Sequence, residues 1–386
     1  MKRSTWPTGG TAVKGRSGLV SLLAVLAALS LVISACGSSD DAADSTSTTA
    51  GSSTTSDAAL SGLDGLTANL SGQGSSFQDT FQQQVASDFG AVVSGAGGKA
   101  TVTYTKTGSS DGKKSLAEKT VDFAGSDSPI KDEEKGSFGD RDILYFPIVG
   151  GPIAVAYNLQ GVDQLNLSAD TIAGIFQAEI TTWNDPAITA DNPEAKLPAT
   201  KITVVHRSDG SGTTKNFTKY LVSASPDVWK LDSGETVNWP AGTQGAEKSS
   251  GVTKVISTTD GAIGYADLAD AAKENLAVAA VKDAAGEFIA PTPDAASKAL
   301  ESAEVNDDLT FDPLNSNGEG AYPITSPTWM LVDAVQSDRR VADSLAAYLR
   351  YMLTTGQEQA KSLLYAPLPG NLAAKAVTQI DEIEVG

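Results

Sequence analysis

The chain has 386 residues, with 47 acidic side chains against 28 basic ones and a formal net charge of −19. At roughly 150 residues per domain it can hold two or three domains, and its 40% apolar and 19% charged residues fit a globular core. The acidity argues against a general nucleic-acid binder, which neutralises phosphates with basic surface. A single cysteine excludes internal disulfides and multi-cysteine metal clusters, and a single histidine excludes two-histidine zinc sites. No metal and no cofactor are expected. The same charge disfavours an anionic ligand.

Residues 1–35 contain Lys2, Arg3, Lys14 and Arg16 but no acid. Residues 19–33 form an uncharged apolar run, shorter than the about 20 residues of a membrane-spanning helix and suited to a secretory signal. The run ends Ile33-Ser34-Ala35-Cys36, which resembles a bacterial lipobox. That resemblance implies a signal peptide over 1–35 and lipidation of Cys36 as the first mature residue. Residues 36–59 are then a tether: 12 of the 23 residues from 37 to 59 are Ser or Thr, too polar to bury a core. Loss of the signal removes four basic groups and no acid, taking the net charge from −19 to −23.

Residues 101–107 alternate as a half-buried strand, and residues 143–149, 153–157 and 202–205 read as short core strands. Ser168 is placed to cap a helix over 169–176. Ser337 is placed to cap a longer helix, where Val341, Leu345, Tyr348, Leu349, Met352 and Leu353 recur at helical spacing. Strand–helix alternation predicts an α/β fold with mainly parallel strands, whose ligands bind beyond the strands' carboxyl ends. Three small polar loops lie at such junctions. They are Ser71-Gly72-Gln73-Gly74-Ser75-Ser76-Phe77, Gly108-Ser109-Ser110-Asp111-Gly112 and Arg207-Ser208-Asp209-Gly210-Ser211-Gly212-Thr213. Each joins flexible backbone and hydroxyls to a helix N-terminus, a combination that favours an oxyanion.

The second loop also matches G-x-S-x-G, the nucleophile elbow of α/β-hydrolases, with Ser110 as nucleophile and His206 as the only candidate base. His206 sits at a strand end beside Arg207, and no acid-then-histidine order follows. Ser110 and Lys113 form S-x-x-K, but Lys106-Thr107-Gly108 precedes it, the reverse of the β-lactamase order. No G-K-[ST] completes a nucleotide P-loop after Gly210.

Taken together over residues 60–370, the loops resemble those of the PstS family, the phosphate-binding proteins of bacterial ABC importers. The most specific pieces are Val121-Asp122-Phe123-Ala124-Gly125-Ser126-Asp127-Ser128-Pro129 and the Arg207–Thr213 loop. Supporting pieces, in the same order as in the family, include Thr182-Trp183-Asn184-Asp185-Pro186, Gly261-Ala262-Ile263-Gly264-Tyr265, Tyr322-Pro323-Ile324-Thr325-Ser326 and Tyr365-Ala366-Pro367-Leu368-Pro369. The resemblance implies a two-lobed, type II periplasmic binding protein fold. Residues 60–150 and 322–386 would form lobe 1 and residues 151–321 lobe 2, with phosphate in the cleft. It further implies hydroxyl or backbone donors at Ser76, Phe77, Ser109, Ser211, Gly212 and Thr213. Arg207 would be the anion clamp, oriented by Asp209, and Asp127 the acceptor carboxylate. No catalytic residue is implied. The partners would be inorganic phosphate, ABC permease subunits and the membrane reached through Cys36, with a monomeric, extracytoplasmic protein and no nucleic acid.

Asp127 has the sharpest chemistry. Phosphate near neutral pH still carries protons and sulfate carries none, so only phosphate can donate to a buried carboxylate. The other readings are a binder of sulfate or molybdate, and a secreted serine hydrolase using Ser110. Three departures from the family stand out. Ser76 replaces a common Thr, and Asp111 replaces a small residue and would repel the ligand if it pointed inward. The lone cysteine leaves no pair for the disulfides that relatives carry. His206 is read as structural.

Overall fold

The computed structural model describes residues 62–386. The expected signal, Cys36 and the tether lie outside the described residues. Among those described, no helix is long and apolar enough to cross a membrane.

The first half builds on β1 (Asn69–Gly74), α1 (Asp79–Gly95), β2 (Thr101–Lys106), α2 (Ser109–Ala117) and β3 (Phe123–Ser126). β1 pairs in parallel with both β2 and β3. Phe81, Val85, Phe89 and Val93 recur every four residues on α1 and are all buried, which fixes its inner face. β1 reaches Gly74, so Ser71 to Gly74 are strand rather than loop, and the turn proper is Ser75–Gln78.

The two expected strands at 143–149 and 153–157 are one 16-residue strand, β4 (Ile143–Asn158). The intervening Gly150-Gly151-Pro152 looks like a turn signal but serves close packing. A Cβ on Gly150 would lie 2.8 Å from Leu300, and one on Gly151 would lie 3.2 Å from Phe77. Pro152 marks the change of partner. Up to that residue β4 pairs with β8 (Thr325–Asp333), and from Ile153 it pairs with β7 (Ala262–Asp267).

In the second half, β5 (Thr203–Arg207) runs parallel to β6 (Gln244–Ala246) and to β7. α3 (Ala169–Phe176), α4 (Gly212–Ala224) and α5 (Lys248–Thr258) belong to this half. Ser168 caps α3 as expected, accepting from the Thr171 N–H. The long C-terminal helix α6 (Arg339–Leu353) starts one residue later than expected, because Asp338 rather than Ser337 accepts the N–H of Arg340.

The expectation of mainly parallel strands is corrected at the centre. There β3–β8, β8–β4 and β4–β7 are all antiparallel. A strand from the chain's far end has returned between two early ones, and local apolar runs carry no sign of direction.

Gly74 joins β1 to the turn at φ 144°, where an added Cβ would lie 2.1 Å from the Gly125 carbonyl oxygen. Gly74→Ala is therefore expected to destabilise the fold by about 2–4 kcal/mol in urea unfolding at unchanged m-value, and a loss under about 0.5 kcal/mol would refute this role.

Candidate functional site

The parallel register sets Gly74 beside Gly125, so the chain leaves β1 and β3 at neighbouring carboxyl ends. Ser75 follows the first strand and Asp127 the second. Asp127 is 1% exposed. Its Oδ2 accepts from Ser75 Oγ at 2.7 Å and from Thr213 Oγ1 at 3.3 Å, and its Oδ1 accepts from Thr328 Oγ1 at 2.7 Å. Thr213 lies in the first turn of α4, and Thr328 lies on β8 beside β3. Burial pushes the Asp127 carboxyl up to about 6, opposed by the Ser75 and Thr328 hydroxyls, the Arg207 charge and the Thr213 hydroxyl.

Two helix N-termini meet beside this carboxylate. Ser109, which begins α2, is fully buried and accepts from Gly212 N at 3.1 Å and Asp127 N at 3.3 Å. Gly212 begins α4, and a Cβ there would lie 2.6 Å from Ser109 Oγ and 2.7 Å from Asp127 Cβ, so no side chain fits. Ser211 caps α4 by accepting from Thr214 N at 3.1 Å. Asn216, one turn on, donates to the Asp127 carbonyl at 2.7 Å.

Arg207 ends β5 and is 4% exposed. Its Nε and Nη2 pair with Asp209 at 2.7 and 2.5 Å, and its Nη1 stays outside that fork. Burial pushes Asp209 upward, but Arg207 and Lys248 overcome this and hold its carboxyl at about 2. Lys248 contributes its N–H at 3.0 Å and its ammonium at 3.4 Å. Tyr265 accepts from Arg207 N at 3.2 Å and bonds Thr214 Oγ1 at 2.7 Å, tying β5 to α4.

Two first-loop residues have partners within the protein. The Ser76 hydroxyl meets Ser249 Oγ at 3.2 Å and accepts from Ser249 N at 3.1 Å, while its neighbour Ser75 faces Asp127. The Phe77 N–H donates to Ser75 Oγ at 3.0 Å. In the run Gly74-Ser75-Ser76 either serine could have been chosen. Thr328 gave no local signal, since it arrives from a strand 201 residues later. Asp111 is exposed on α2, so its side chain does not point inward. A cavity of about 790 Å³ reaches Asp127 past Pro129, Asn216 and Pro327, but Ser75, Ser109, Arg207 and Thr213 do not line it.

A second buried cluster was also missed. Glu235, 2% exposed, accepts from Ser110 Oγ at 2.7 Å and Ser128 Oγ at 2.5 Å, and pairs with Lys113 at 2.8 Å and Lys131 at 3.3 Å. Ser110 is thus committed to a carboxylate. His206 bonds the Arg207 carbonyl through Nδ1 at 2.9 Å and Thr243 Oγ1 through Nε2 at 3.1 Å, and stacks on Trp239. Among the described residues, neither His206 nitrogen bonds a serine.

Residues 39–355 match the model of a PBP superfamily domain. The chain is 34% identical over 312 residues to the phosphate-binding protein PstS of Xylella fastidiosa, covering 79% of this chain and 83% of that one. It is 33% identical over 369 residues to the phosphate-binding protein PstS 3 of Mycobacterium tuberculosis, covering 93% and 97%. Among solved structures, a high-affinity periplasmic phosphate-binding protein bound with phosphate (PfluDING) matches at a TM-score of 0.67 and 22% identity, over 81% of this chain and 93% of that one. The fold is therefore the two-lobed solute-binding architecture. The chain belongs to the PstS family of phosphate-binding proteins.

Burial alone would raise Glu235, yet Lys113 and the two serines hold its carboxyl at about 2 against an ordinary 4.5. Its contribution is present above about pH 4.5 and is lost as pH falls through about 2. Glu235→Gln should therefore cost about 3 kcal/mol at pH 7, shrinking towards zero at pH 2 in denaturant titrations. A loss that did not change with pH would rule out the ion pair as its source.

Proposed function

We propose that this chain is an extracytoplasmic phosphate receptor, lipid-anchored through Cys36, that delivers phosphate to the permease subunits of an ABC importer and catalyses nothing itself. The protein acts as a monomer. Its lobes are residues 60–150 with 322–386, and residues 151–321, and the ligand lies in the cleft between them.

The observation that carries this reading is a buried carboxylate beside a buried arginine. Asp127 cannot attract an anion, so its presence among anion-binding groups makes sense only if the anion brings a proton. Arg207, aimed by Asp209, offers its free guanidinium edge to a tetrahedral oxyanion. The Ser109, Ser76 and Thr213 hydroxyls and the first-turn N–H groups near Phe77, Ser211 and Gly212 supply uncharged donors. Hinge closure brings the two helix N-termini onto the ligand. The family membership and the names of the relatives support phosphate as that ligand.

Calorimetric titration of the purified chain with phosphate and with sulfate tests the reading. Phosphate should give saturable heat that equimolar sulfate does not displace. If phosphate gives no heat, or sulfate competes equally, the assignment fails in favour of another oxyanion. In the same assay Asp127→Asn should narrow the phosphate-to-sulfate affinity ratio by about tenfold or more, since its amide can donate to sulfate. An unchanged ratio would remove Asp127 from the selectivity mechanism.

A further inference from the structure

Behind Asp127 runs a chain of side chains that the binding mechanism does not use. Tyr348, Gln82, Gln78 and Thr328 are all fully buried. The Tyr348 hydroxyl meets Gln82 Oε1 at 2.7 Å, and Gln82 Nε2 donates to Gln78 Oε1 at 2.8 Å. Gln78 Nε2 donates to Thr328 Oγ1 at 2.7 Å, and Thr328 Oγ1 reaches Asp127 Oδ1 at 2.7 Å.

The Trp329 carbonyl fixes the orientation of both amides in the chain. Gln78 Nε2 also lies 3.1 Å from the Trp329 carbonyl oxygen, which can only accept, so the nitrogen end of this amide must face that way. Its second N–H then fills a lone pair on Thr328 Oγ1. Its oxygen faces Gln82 Nε2, so Gln82 in turn presents its own oxygen to Tyr348. Thr328 is left with one proton and two acceptors in reach, Asp127 Oδ1 at 2.7 Å and the Ser126 carbonyl at 3.4 Å. The shorter bond takes it. Donation from Thr328 to Asp127 Oδ1 therefore favours the ionised carboxylate over the neutral acid. Ser75 acts alike on Oδ2, since its oxygen accepts from Phe77 N and its proton points to the carboxylate.

We infer that Gln78 and Thr328 are specificity-determining positioning residues, which keep Asp127 a pure acceptor so that the proton in its contact with the ligand must come from the anion. This rests on the phosphate reading above. Burial favours the neutral acid, which could donate to an unprotonated anion such as sulfate, and the chain opposes it. The titratable groups that face Asp127 are Arg207 from β5 and Tyr104 from β2, whose hydroxyl donates to Ser75 O at 2.8 Å. The remaining neighbours, Ser75, Ser109, Thr213, Asn216 and Thr328, do not ionise in this range.

The test has a ligand-free arm and a binding arm. Carboxyl-carbon NMR of the ligand-free protein follows Asp127 against pH in the wild type, Thr328→Val, Gln78→Met and Thr328→Ser. Removing the Thr328 donor should raise the Asp127 midpoint by about one pH unit. Gln78→Met, which frees Thr328 to turn away, should raise it by less, and Thr328→Ser should restore the wild-type value. In calorimetry at pH 7, Thr328→Val should bind sulfate about tenfold more tightly relative to phosphate than the wild type does. An unmoved midpoint in both Thr328→Val and Gln78→Met, or parallel weakening of the two anions at every pH, would overturn the inference. If the midpoint moves but the wild type fails to bind phosphate, the functional reading is what fails. Gln78→Met leaves Thr328 in place, so the question stays answerable if Thr328→Val does not fold.

Discussion

A carboxylate withdrawn from water is the constraint on which the rest of this structure depends. Burial of an unpaired charge is costly, so Asp127 must be surrounded by donors. Those donors lie 52, 86 and 201 residues away in the chain, on the turn after β1, the start of α4 and β8. Only the observed topology brings them together. The parallel register of β1 and β3 aligns Ser75 with Asp127, and the antiparallel return of β8 beside β3 supplies Thr328. The architecture can thus be read as the set of connections that lets one acid stay charged in the interior.

The strong negative charge of the whole chain and an anion site are then compatible. Surface charge is screened beyond about 8–10 Å at physiological salt. At the site, Arg207 and Lys248 balance Asp127 and Asp209, so the pocket has little net charge of its own. What remains is directional: hydroxyls, helix N-termini and one free guanidinium edge. A pocket of that kind discriminates by where protons are, and charge magnitude matters less to it.

Much of this was legible in the sequence where the physics is local. The cap at Ser168, the face of α6 and the pairing of Arg207 with Asp209 two residues on all depend on near neighbours. The errors fall where neighbours in space are distant in sequence. Gly150-Gly151-Pro152 reads as a turn until Leu300 and Phe77 are seen to need the room. The strand directions at the sheet centre depend on a late return of the chain. Ser75 and Ser76 cannot be told apart without knowing that one faces Asp127 and the other Ser249. Glu235 lies in a stretch with no motif, and only the fold reveals that two lysines and two serines converge on it.

Lys113 has two carboxylate partners, Glu235 and, at 2.7 Å, Glu134. Glu134 comes from the same half as the lysine, and Glu235 from the other. Lys131, Ser110 and Ser128, the other partners of Glu235, also come from the half that holds Lys113. Lys113 therefore has a carboxylate partner within its own half in addition to the one across from it, which a two-member buried ion pair would lack.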